Sequence, residues 1–104
     1  MLRSSLKDTI LLYLSTNKTG TCKEIEAFTF LLDGEYYSRK KYLQLSLYRA
    51  LRELVRSGLV HRDGKYRSTY SLTDHGSEVA SHVLARTLVK TLLLEKMIIK
   101  NKGG

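Results

Sequence analysis

Between Leu59 and Thr73 the chain reads LVHRDGKYRSTYSLT, and this stretch limits the possible folds more than any other. Asp63-Gly64 stands between two β-prone runs. Such a dipeptide suits a two-residue type I′ turn, which needs positive φ at both positions. The reading is a hairpin in which Arg62 pairs with Lys65. That register puts Arg62, Lys65 and Arg67 on one face with Val60. Leu59, Tyr66, Tyr70 and Leu72 fall on the opposite face, toward the body. The segments on either side have helical period, so the expected class is mainly α with a small β-hairpin (α+β).

The helix before the hairpin is predicted over Arg39 to Ser57. Ser38 is a good N-cap, and Gly58 is a favoured residue just past a helix end. At about 100° per residue, Leu43, Leu47, Ala50, Leu51 and Leu54 share the side that must face a core. Lys41, Tyr42, Leu45, Tyr48, Arg49, Arg52 and Arg56 fall on the other side, with Gln44 at its flank.

Upstream, Leu6, Ile10, Tyr13 and Leu14 recur at helical spacing and predict a helix from Leu2 to Ser15. NKTG (residues 17–20) breaks it. Thr21 with Glu24 three residues on is a capping-box pattern. Ile25, Phe28 and Leu32 carry the second helix, from Cys22 to Leu32, and DGEYY connects it to Ser38. After the hairpin, Thr73 can cap a last helix over residues 73–100. Its apolar side holds Val79, Ala80, Val83, Leu84, Leu88, Leu92 and Leu93. That side is wider than a domain this small can cover alone, and KNKGG (residues 100–104) reads as a frayed end.

Charge divides the chain unevenly. The 104 residues carry a net +8, with a pI near 9.7. Arg39 to Arg67 holds nine cations against Glu53 and Asp63, a net of +7, and the remainder is close to neutral. Such a balance points to a polyanionic partner. Three cations, Arg39, Lys40 and Lys41, open the third helix. They oppose the helix dipole at a cost of about 0.3–1 kcal/mol each when exposed, which arriving phosphates would offset.

Several classes are disfavoured. One cysteine, Cys22, rules out a disulfide framework within the chain and fits a reducing, cytoplasmic setting. Cys22 reads as a small buried hydrophobe, with a bridge between protomers as the alternative. The N-terminal segment does not read as a signal peptide, because Asp8 interrupts its apolar stretch. The run from Leu88 to Ile99 is interrupted by charge and too short to span a bilayer. His61, His75 and His82 have no metal spacing, and Glu78 with His82 reads as a surface i, i+4 pair. Neither a phosphate-binding glycine loop nor a nucleophile motif is present. The expectation is no enzyme, no cofactor, no metal and no evident small-molecule ligand.

The stretch LYRALRELVRSGLVHRDGKYRSTYSLTDHG resembles the core of winged helix-turn-helix regulators, in the manner of MarR-like and PadR-like proteins and small archaeal or viral regulators. The marks are Leu47, Leu51, Leu54, Gly58, Leu59, Val60, Tyr70, Leu72, Thr73 and Gly76. The chain is shorter than the usual MarR-like length. The resemblance implies one winged-helix domain over residues 1–104, double-stranded DNA as partner, and a homodimer built by terminal helices. It also implies that the helix from Arg39 enters the major groove while the hairpin, or wing, follows the backbone.

In such a placement the candidate contacts are Ser38, Arg39, Lys40, Lys41, Tyr42, Gln44, Leu45, Tyr48, Arg49 and Arg52 on the helix, and Arg62, Lys65 and Arg67 on the wing. Arg or Lys can donate to guanine, Gln44 can pair with adenine, and Leu45 can touch a thymine methyl. The later arginines and the wing cations suit phosphate, which supplies affinity and salt dependence rather than sequence preference. Tyr36 and Tyr37 could stack on bases or pack at the helix entry. Leu84, Leu88 and Leu92 are the candidate dimer contacts, with self-coverage or membrane association as other uses of that helix. The expected function is sequence-specific DNA binding in transcription regulation. The alternatives are a winged-helix module for protein assembly and a sequence-independent architectural protein.

Overall fold

The structure, a computed structural model, describes the backbone of residues 5–33 and 40–102, and the side chains of residues 5–32, 43–89 and 91–93. The elements in order are α1 (Leu6–Asn17), β1 (Thr19–Thr21), α2 (Cys22–Asp33), α3 (Lys40–Arg56), β2 (Val60–Asp63), β3 (Thr69–Leu72) and α4 (Asp74–Lys102). The predicted first turn over residues 2–4 lies outside the described residues, as do Tyr36, Tyr37, Ser38 and Arg39.

Local chemistry sets most of the helix ends. Ser5 caps α1 by accepting from the Asp8 amide at 3.2 Å. The capping box forms as the sequence predicts: Glu24 N donates to Thr21 Oγ1 at 3.2 Å, and Thr21 N donates to Glu24 Oε1 at 3.1 Å. α3 ends where Gly58 takes φ +77°. There Leu59 N donates to Leu54 O at 3.0 Å and Gly58 N to Val55 O at 3.1 Å, the paired bonds of a Schellman ending. Thr73 caps α4, accepting from Gly76 N at 3.0 Å while its hydroxyl donates to Gly58 O at 2.6 Å. One threonine thus fastens the start of α4 to the end of α3.

The core lies between α1, α3, α2 and the start of α4. Ile10, Leu14, Ile25, Leu47 and Leu51 are almost wholly buried, and Val60, Tyr70, Ala80 and Val83 close the sheet and α4 sides. Burying each large aliphatic side chain contributes roughly 1.5–3 kcal/mol. All five residues assigned to the inner side of α3 are buried. Cys22 is half-buried at the core margin rather than inside it.

The sheet departs from expectation twice. It has three strands in the order β1-β3-β2, not two. Thr19 and Gly20, read as part of a breaker, and Thr21, read as a helix cap, pair antiparallel with β3 through Thr19–Ser71, Gly20–Tyr70 and Thr21–Thr69. Gly20 permits this, because a Cβ there would lie 2.6 Å from the Tyr13 ring. That ring also meets Phe28, with centroids 5.2 Å apart.

The second departure is the hairpin register. Arg62 pairs with Tyr70, not Lys65, and the last pair is Asp63–Thr69. The turn is therefore a five-residue loop, Gly64 to Ser68, rather than the two-residue turn that Asp63-Gly64 suggests. Gly64 and Arg67 take positive φ within it. The register follows the burial of side chains. Directly opposed residues share a face, so Val60, Arg62, Tyr70 and Leu72 lie together on the inner face, where Val60 and Tyr70 are both buried. The tight turn would have put Val60 and Tyr70 on opposite faces, and losing one of them from the core outweighs a local turn preference. Gly76 then holds α4 close: a Cβ on it would overlap the Leu59 carbonyl oxygen.

α1 is tied to its neighbours at the surface. Lys7 pairs with Glu53 of α3, and Arg86 of α4 stands 3.9 Å from Asp8. Lys7 holds the exposed Glu53 carboxyl below its usual range, through its hydrogen bond and then its charge. His75, rather than His82, is the partner of Glu78, at 3.8 Å.

Candidate nucleic-acid interface

α3 presents Leu45 and Tyr48, each 58% exposed, with Arg49, Arg52 and Arg56 exposed along the same helix. Its opposite side is sealed in the core. Lys40, Lys41 and Tyr42 occupy the first turn of α3, but their side chains lie outside the described residues.

The hairpin leans its inner face over the C-terminal half of α3. One cleft between them is lined by Tyr48, Leu51, Arg52, Val55, Arg56, Arg62 and Tyr70. A second adjoins it, lined by Thr21, Cys22, Lys23, Tyr48, Arg62, Lys65, Arg67, Ser68 and Tyr70. Tyr48, Arg62 and Tyr70 border both. The corrected register explains how Arg62 comes to be there: it is on the inner face, one pair beyond the core, so its guanidinium leaves the sheet toward α3. Arg62 Nε donates to Ser68 Oγ at 2.9 Å.

Six cations line the joined clefts, namely Lys23, Arg52, Arg56, Arg62, Lys65 and Arg67, and no acid does so among the described residues. They come from α2, α3 and the hairpin. Arg52 of the helix borders the first cleft and Lys65 of the wing the second, and Arg62 is the cation that borders both. Lys23 belongs to this group and was missed by the sequence reading. It stands two residues after Thr21, in the first turn of α2, and it comes near the wing because β1 pairs with β3.

Burial holds the Tyr70 hydroxyl above its ordinary range, and Arg62 draws it part of the way back. Burial likewise raises the Cys22 thiol; bonding to Tyr48 opposes this, and the Glu26 carboxylate adds to it. Both groups are therefore neutral at pH 7 and leave the positive potential of the clefts undiminished.

Gln44 is exposed on the flank of α3, and its Nε2 lies within 3.4 Å of the buried Glu26 carboxylate. Leu84, Leu88 and Leu92 of α4 are 45%, 55% and 57% exposed, with Val89 and Leu93 beside them. No helix of the described residues is long and apolar enough to cross a membrane.

Solved structures share this architecture. A MarR family transcriptional regulator from Silicibacter pomeroyi DSS-3 aligns with a TM-score of 0.66 at 22% identity, covering 88% of this chain and 60% of that one. The present chain thus spans less than two thirds of that regulator's length. RosR of H. salinarum aligns with a TM-score of 0.62 at 22% identity, covering 97% of this chain and 94% of its own. The complex structure of hsRosR-S1 gives 0.62 at 22% identity, with 97% and 93% covered. No family model matches the chain, and no curated protein does. At such identities the likeness establishes the fold, a winged helix-turn-helix with a long last helix.

Proposed function

We propose that this chain binds double-stranded DNA in a sequence-dependent way and regulates transcription. The observation that carries the reading is the run of six cations, drawn from α2, α3 and the hairpin, around two joined clefts that no described acid enters. The fold supports it, since a structural neighbour over most of the chain is a transcriptional regulator.

In this reading the N-terminal half of α3 lies in the major groove, where Arg39, Lys40, Lys41, Tyr42, Gln44, Leu45 and Tyr48 meet base edges. Ser38 donates to a phosphate. Arg49, Arg52 and Arg56 hold backbone phosphates from the helix, and Arg62, Lys65 and Arg67 do so from the wing. The whole chain acts as one winged-helix domain. Two copies join through Leu84, Leu88 and Leu92 of α4, which pairs their recognition helices on two half-sites.

Selection of bound sequences from a random duplex library tests this. A palindromic motif is expected. Lys41→Ala should change the preferred bases. Lys65→Ala should weaken binding to all sequences alike and lower the salt slope by about 1. A bound pool with no enrichment over the starting library rejects sequence-specific recognition, and affinity that varies with salt alone assigns the chain to architectural DNA binding.

A second reading is a winged-helix module for protein assembly. The exposed Phe30, Leu31 and Leu32 at the end of α2 favour it, together with the apolar face of α4. It predicts weak duplex binding that survives loss of Arg52 and Lys65.

A further inference from the structure

Glu26 is a buried carboxylate beside the cationic helix α3. It lies on α2, its residue is only 8% exposed, and burial of a carboxylate is unfavourable unless something compensates. An apolar residue at that position would pack against α3 without the penalty. Among the described residues its hydrogen-bonding partner is Gln44, whose Nε2 stands 3.3 Å from Oε1 and 3.4 Å from Oε2. Gln44 itself is exposed, one residue before Leu45 and four before Tyr48 on α3.

The chemistry of this pair has a direction. A carboxamide has a donating end and an accepting end, and an ionised carboxylate only accepts. The Gln44 amide must therefore turn its NH2 toward Glu26 and its Oε1 away. One N–H is spent on the carboxylate. A second N–H and Oε1 remain side by side on the outer edge. That edge matches adenine, which accepts at N7 and donates from N6 in the major groove. A glutamine without such a partner can flip its amide and swing among rotamers, and ordering it on contact costs entropy.

We infer that Glu26 is a positioning residue, fixing the orientation of Gln44 so that this side chain reads adenine. The inference rests on the DNA-binding reading above. It also gives the buried Glu26 carboxylate a role, which it performs through its neighbour Gln44.

The test compares duplex selection and competition binding for the wild type, Glu26→Leu, Glu26→Met, Glu26→Gln, Gln44→Ala and the double variant Gln44→Ala/Glu26→Leu, with thermal melts to verify folding. Glu26→Leu should relax the adenine preference at one position of each half-site by about fivefold, in the range usual for coupled neighbours. Its affinity for unrelated duplex should not fall. Glu26→Met carries the same expectation if the branched residue disturbs α2. Glu26→Gln still offers an accepting oxygen and should retain most of the preference. In the Gln44→Ala background, Glu26→Leu should change nothing further. Unaltered preference in both apolar variants overturns the inference, as does a change that persists without Gln44. A wild-type chain that selects no sequence overturns the DNA-binding reading first and this inference with it, whereas a selective chain indifferent to Glu26 overturns this inference alone.

Discussion

Arg62 and Ser68 face each other across the wing loop, with Arg62 Nε donating to the Ser68 hydroxyl at 2.9 Å. The hydroxyl then donates to the Gly64 carbonyl at 2.8 Å. Both capacities of one serine are used to close a five-residue loop, and the other guanidinium N–H groups stay available to the cleft.

Ser68→Ala should therefore loosen Arg62 without removing any charge. On the proposed function, duplex affinity falls by about 0.5–1.5 kcal/mol, the usual worth of one hydrogen bond. The preferred sequence stays the same, because a wing arginine meets phosphate. Fluorescence anisotropy on the selected site and on scrambled duplex measures both. A shift in base preference would mean that Arg62 reads bases.

Two glycines should respond differently to the same added methyl. Gly76→Ala drives a Cβ into the Leu59 carbonyl, and backbone on both sides resists displacement. A loss on the order of 2–4 kcal/mol is expected, as for severe overpacking. Gly58→Ala meets open space but must hold φ +77°, which costs about 1–2 kcal/mol. Urea unfolding of the two variants ranks them, and equal midpoints would remove the close approach of α4 as a cause of stability.

The exposed leucines of α4 should matter to assembly and not to the fold of one copy. Leu88→Glu places a charge on a side chain already 55% exposed. The expected outcome is a dimer that dissociates, seen by sedimentation equilibrium, with helix content unchanged by circular dichroism. A wild-type chain that is monomeric across the micromolar range would reject the dimer.

Much of the architecture was legible because it rests on local chemistry. The inner side of α3 follows from Leu43, Leu47, Ala50, Leu51 and Leu54 recurring at helical spacing. The starts of α2 and α4 follow from Thr21 and Thr73, and the end of α3 from Gly58. The hairpin was legible as a hairpin, but its register was not. Asp63-Gly64 argues for a tight turn, while Val60 and Tyr70 argue for a shared inner face, and only their joint burial decides between them. β1 could not be read at all. Three residues have no periodicity to display, and Thr19 to Thr21 become a strand only beside β3.

Which face of α3 carries the cations can be read from residue spacing, because helical periodicity converts spacing directly into direction. Which cations share a cleft depends on how the elements pack. Arg62 reaches α3 through the five-residue shift from the expected pairing, and Lys23 joins the wing through a third strand. Gln44 finds Glu26 across 18 residues of chain. Each of these is a contact between segments whose separation in space is set by packing of the core, and no local pattern of residues encodes that distance.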